Sequence, residues 1–185
     1  MFESLGAVRL DVDEVGRSVV EPGSAALAKV VSEFGPDYIL PDGTLNRKDL
    51  GTLVFSDPAQ LAKLNSVTHP AIFEQVRAWL GRAGAQCPQP PAAVIDAAVL
   101  FEAGLSRLVD YVVAVVAGHD VAVSRITERD GITSEAAAAR LAAQIDPASI
   151  RDRCHFVVCT DGGLEDTYTQ VRLAWDQMMD ERGVK

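Results

Sequence analysis

Asp11 and Asp13 alternate at the end of a short apolar run, residues 7–12 (AVRLDV), which reads as a strand. Open α/β sheets bind their ligands at the C-terminal ends of strands, so two carboxylates there are candidate site residues. A carboxylate in that place either works on a ligand or caps the helix that follows. Arg17 comes one helical turn after Asp13 and faces the same way, so it either meets a ligand or pairs with Asp13. Further along, Arg125 and Arg129 are spaced i, i+4 on one helix face, and Arg140 and Gln144 repeat that spacing. These arginines form a local basic cluster suited to an anion, or, with Glu128 and Asp130 beside them, a solvated face. His69 precedes Pro70, a pair read either as ligand-binding or as a structural helix end. Asp96 ends a second apolar strand, Glu102 sits just beyond it, and the two complete the set.

Something must position these groups. The chain has 185 residues, 48% hydrophobic and 23% charged, enough for one α/β domain with a sizeable core. A formal net charge of −9 argues against nucleic acid as the main partner, while leaving room for a nucleotide at the local arginines. Cys87, Cys154 and Cys159 include no CxxC pair and are odd in number, so reduced thiols are expected rather than disulfides or zinc. No apolar run is long enough for a membrane span and no signal peptide opens the chain, so a cytoplasmic protein is expected.

Short valine-rich runs at 92–98 (AAVIDAA) and 111–117 (YVVAVVA) fit strands buried on both faces, with weaker strands at 7–12 and 155–159. Helical periodicity covers 12–20, 25–34, 58–83, 120–129, 134–144 and 164–182. Strands alternating with helices predict a doubly wound parallel sheet. The segment 36–83 holds turn signals, helix and no good strand, and reads as a helical insertion able to cover a substrate; 120–150 reads as a helical lid.

A series of motifs runs in order along the chain. LDVDEVGR (10–17), VVEPG (19–23), DGTLNR (42–47), VFSDP (54–58), LNSVTHP (64–70), LFEAGL (100–105), RITERDG (125–131) and RLAAQ (140–144) are together similar to the dephospho-CoA kinase family. The resemblance covers nearly the whole chain as a single domain, 1–185. It implies a P-loop kinase that moves the γ-phosphoryl group of ATP to the ribose 3′-hydroxyl of dephospho-CoA, the last step of coenzyme A synthesis. On that resemblance Asp13 is the catalytic aspartate and Arg125 the lid arginine that meets the transferred phosphoryl group. Asp11, Arg17, His69, Pro70 and Glu102 fall on the dephospho-CoA side. Arg129, Arg140 and Gln144 belong to the ATP-side lid, and Asp96 reaches Mg²⁺ through water.

The sequence also departs from the pattern. Ala98 stands where the family has a proline before its LLFE motif, and His155 and Thr160 replace an Asp and an Asn around the last strand. The family opens with a central strand and the loop GxxxxGK[ST], whose N–H groups and lysine hold the ATP phosphates. No such loop occurs in these residues, so roughly 15–20 residues of strand, loop and helix start are expected to be missing. Either Met1 is an internal methionine of a longer kinase, or the chain is a non-catalytic relic that binds a CoA-like ligand or a protein partner.

Overall fold

The computed structural model describes residues 1–142 and 152–183. The chain divides into two compact units, Glu3–Leu108 and Val109–Lys185 with Met1–Phe2, and each builds on its own pair of parallel strands.

In the first unit, a short 3₁₀ turn at Phe2–Leu5 leads to β1 (Val8–Asp11), which runs straight into α1 (Val12–Ser18). Asp11 makes that transition possible. Its backbone is extended, and its carboxylate accepts the N–H groups of Asp13 at 2.9 Å and Glu14 at 3.3 Å, which no helical carbonyl reaches. α2 (Ala25–Phe34) starts under the Ser24 hydroxyl and stops at Gly35, whose φ of 92° a side chain would resist. A tight turn follows, in which Asp42 accepts from the N–H and hydroxyl of Thr44 and an isolated antiparallel bridge joins Ile39 to Leu45. α3 (Arg47–Ser56) and α4 (Pro58–Gly84) begin on capping side chains from Asn46 and Asp57, with Pro58 at the first helical position of α4.

α4 is the spine of this unit: α1, α2, α3 and β2 all pack on it. The spacing of Val12 and Val15, of Leu50 and Val54, and of Ile72 and Val76 turns one face of each helix inward. Val30 and Val76 are wholly buried and Leu50 is 2% exposed. β2 (Ala93–Asp96) then pairs parallel with β1, in register from Val8↔Ala93 to Asp11↔Asp96.

In the second unit, β3 (Val113–Val116) pairs parallel with β4 (Phe156–Cys159). Between them in sequence lie α5 (His119–Asp130) and α6 (Ser134–Ala142), joined at Gly131, whose left-handed φ of 63° ends α5. α7 (Leu164–Glu181) packs on β4 and buries Val171, Ala174 and Trp175, with the Phe2 ring 6.1 Å from that of Trp175. The side-chain amide of Gln170 accepts the Cys159 N–H and donates to the Cys159 carbonyl, both at 2.8 Å.

The expected strands are present, each trimmed to four residues, and both pairings are parallel, as an α/β fold requires. The described strands form separate two-stranded sheets, one in each unit. One of the two readings of the His69–Pro70 pair falls. The His69–Pro70 step lies in the middle of the 27-residue α4, so His69 is no helix-end residue. α4 continues through a proline that has no N–H to give the Ser66 carbonyl, in a helix on which α1, α2, α3 and β2 pack. Among the described residues, no helix is long and apolar enough to cross a membrane.

Candidate active site

At the C-terminal end of the β1–β2 pair, Asp11 and Asp96 are register partners, which sets two carboxylates side by side. Arg9, two residues before Asp11 on the same strand, lies over both. Its Nε and Nη2 donate to Asp96 Oδ2 at 3.3 and 2.8 Å, and Nη2 donates to Asp11 Oδ2 at 3.1 Å. Asp96, then Asp11, hold the guanidinium above its usual range. Sequence reasoning passed over Arg9, although its i, i+2 spacing to Asp11 was the signal for a shared strand face.

Asp11, not Asp13, is the capping residue of α1. Asp13 sits in the first turn of α1 with an exposed side chain, and among the described residues its carboxylate has no ion pair. Nor does Arg17 pair with it. The Arg17 carbonyl instead accepts the Arg47 side chain at 2.7 Å, which ties α1 to α3. Glu102 is exposed in the turn after β2, beside the buried Ala103. His69 is half-buried and Pro70 exposed on α4.

In the second unit the arginines divide their work. Arg125, on α5, donates to the Thr160 hydroxyl at 2.8 Å and to the Thr160 carbonyl. Thr160 is anchored in turn, its N–H and hydroxyl both donating to the Val116 carbonyl. Next to it the Asp161 carboxylate accepts the Gly118 N–H, and this bond, more than the charge of Arg125, holds Asp161 below the usual carboxylate range. Arg129 and Arg140 converge on Asp130: Nε of Arg129 lies 2.7 Å from Oδ1, and Nη1 of Arg140 lies 2.6 Å from Oδ2. Asp130 is thus a pin between α5 and α6, held below the ordinary carboxylate range mainly by its bond from Arg129. Gln144 lies outside the described residues.

His155 and Thr160, the substituted positions around β4, have local duties. His155 Nδ1 accepts the Val112 N–H at 3.0 Å while its ring meets the edge of Tyr111. The three cysteines are free thiols. Among the described residues, no group of three His, Cys, Asp or Glu side chains is arranged to hold a metal ion.

The family model for dephospho-CoA kinase matches residues 1–166. This chain belongs to the dephospho-CoA kinase family. A dephospho-CoA kinase of Moorella thermoacetica is 38% identical over 178 residues, 96% of this chain and 84% of that one. Another, from Anaeromyxobacter dehalogenans, is 41% identical over 165 residues, 89% of this chain and 77% of that protein. Among solved structures, the Thermus thermophilus protein TT1252 superposes with a TM-score of 0.76 at 27% identity, covering 95% of this chain and 87% of its own. The dephospho-CoA kinase from Campylobacter jejuni superposes with a TM-score of 0.66 at 21% identity over 97% and 89%, which shows a common α/β fold. The dephospho-CoA kinase family match runs through both units, so the carboxylates of one and the arginines of the other fall within one family sequence.

Proposed function

We propose that this chain carries the catalytic aspartate and the lid of a kinase that phosphorylates the ribose 3′-hydroxyl of dephospho-CoA with ATP, giving CoA and ADP. The carrying observation is Asp13: a carboxylate presented at the C-terminal end of β1, in a helix start that Asp11 already caps, with no ion pair of its own among the described residues. A carboxylate so placed accepts the proton of the attacking hydroxyl as its oxygen bonds to the γ-phosphorus and the bridging P–O bond to ADP breaks.

Arg125 is the residue we assign to the transferred phosphoryl group. Two of its N–H groups are spent on Thr160, which orients the guanidinium, and the rest remain to face a phosphate oxygen. Arg129 and Arg140 brace the α5–α6 lid through Asp130 and add net positive charge on the ATP side. Arg17, His69, Pro70 and Glu102 are assigned to the dephospho-CoA side, with 36–83 as the substrate cover. A cytoplasmic, single-domain kinase with a doubly wound sheet of P-loop type is the architecture that fits this chemistry.

ATP enters phosphoryl transfer as its Mg²⁺ complex, the metal neutralising charge on the β- and γ-oxygens. Among the described residues no three His, Cys, Asp or Glu side chains group around a metal, and Asp96, the residue expected to reach it through water, is paired with Arg9. The metal is therefore assigned to the nucleotide's own oxygens and water. The 185 residues also contain no GxxxxGK[ST] segment, the usual cradle for those phosphates. A second reading is a chain that binds a CoA-like ligand without turning it over.

The test is ATP-dependent CoA formation, followed by chromatography. The 185 residues alone should show background rate. The same residues preceded by a strand and GxxxxGK[ST] loop from a relative should be active, and Asp13→Asn in that longer chain should lose roughly 10²- to 10⁴-fold in kcat. An Asp13→Asn rate within a few-fold of its parent would sink the assignment. Dephospho-CoA binding without turnover by the longer chain would decide for the second reading.

A further inference from the structure

We propose that Arg9 is a resident cation for the β1–β2 strand ends: it holds Asp11 and Asp96 together and keeps a divalent metal off both. The inference rests on the kinase reading only in that the family expectation gives Asp96 to Mg²⁺.

Two carboxylates at register positions of neighbouring parallel strands stand about 4.8 Å apart in backbone terms, and two like charges at that spacing repel. Such a pair needs a cation, and the fold has two ways to supply one. A divalent metal would bring +2 and demand a near-octahedral shell of oxygens, most of them water. Arg9 brings +1 and a planar fork of donors fixed to the same strand. The fork is engaged on both sides, with Nη2 shared between Asp11 Oδ2 and Asp96 Oδ2 and Nε added to Asp96. Asp11 is then fully committed. Its Oδ1 serves the N–H groups of Asp13 and Glu14, and its Oδ2 serves Arg9. A metal at Asp11 would have to break either the cap or the ion pair. A metal at Asp96 would sit beside a fixed guanidinium of its own sign.

The arrangement has a consequence for Asp13. Arg9 is drawn to Asp11 and Asp96, and among the described residues Asp13 has no ion pair, which leaves its oxygens open to a hydroxyl donor. Arg9 is thus a positioning residue: it fixes Asp11, and Asp11 fixes the turn that carries Asp13.

Mn²⁺ titration without nucleotide, read from the electron paramagnetic resonance signal of the free ion, tests the proposal. Wild type and Asp96→Asn should titrate alike, because Asp96 is no metal ligand while Arg9 is present. Arg9→Met should gain a site at least about tenfold tighter than anything in wild type, as the unpaired carboxylates take up the metal. Arg9→Met/Asp96→Asn should lose that site again, and Arg9→Lys, which keeps a positive charge, should stay close to wild type. Loss of Mn²⁺ binding on Asp96→Asn in the wild-type background would overturn the proposal, as would an Arg9→Met curve superposable on wild type. If Arg9→Met does not fold, the wild-type and Asp96→Asn pair still decides it. The readout is metal binding and not phosphoryl transfer, so its failure is distinct from failure of the kinase reading.

Discussion

Replacing Gly16 by alanine should make the first unit more stable. Gly16 lies inside α1 between Asp13 and Arg17, where glycine costs a helix about 0.5–1 kcal/mol relative to alanine. A Cβ built there would stand 3.7 Å from Ile72 Cδ1 of α4, an ordinary van der Waals separation, so nothing has to move. The added methyl covers part of the α1–α4 seam and contributes up to roughly 0.8 kcal/mol more. The sum is about 1–1.5 kcal/mol, and for a unit of about a hundred residues each kilocalorie raises Tm by roughly 4–8 °C. Thermal unfolding by circular dichroism and a urea midpoint at constant slope measure it. Gly104→Ala is the contrast. Its φ is +69°, and a Cβ there would come within 2.7 Å of Arg107 Nη2, so stability should fall. A Gly16→Ala variant that melts at or below wild type would refute the reading of α1 as a capped helix seated on α4.

Two further predictions concern the second unit. Because its arginine partners lower the pKa of Asp130, the stabilisation it gives is present above the ordinary carboxylate pKa near 4 and lost as pH falls through the lower folded value. Helix-resolved hydrogen exchange should therefore show α5 and α6 loosening together on acidification, whereas Asp130→Asn should start loose at neutral pH and change little. Gln170→Ala removes both partners of the half-buried Cys159 peptide group and should cost about 1–3 kcal/mol. Gln170→Glu, which can only accept, should restore part of that loss in a urea melt, and equal stability of all three proteins would show the amide bonds to be idle.

Strand and helix positions were legible in the sequence because each rests on local patterning. Valine runs bounded by turns marked two of the four described strands and weaker apolar runs the other two, and 3.6-residue spacing marked α1, α2 and α4 through α7 to within a few residues. α3 was harder to see: RKDLGTLVFS has only Leu50 and Val54 on its buried face, and glycine and threonine interrupt it. The continuity of α4 through Pro70 was legible in the periodicity over 58–83, whereas its packing partners α1, α2 and α3, two of them distant in sequence, were not. Ion-pair partners follow the same divide. Asp130 beside Arg129 was visible as a neighbour, whereas the contact of Arg9 with Asp96 spans 87 positions and exists only once β1 and β2 pair. Which aspartate caps α1 was decided by where β1 ends, a difference of two residues that periodicity does not resolve.

The Gln170 amide has a meaning beyond the stability of β4. Backbone groups alternate along a strand, so Phe156 and Val158 turn toward β3 while Val157 and Cys159 turn outward. An outward row of unpaired peptide groups is an invitation to any other extended chain. By imitating a neighbouring peptide, the side chain from α7 takes Cys159 out of that row. An extended chain arriving at this end of β4 would first have to displace the Gln170 amide.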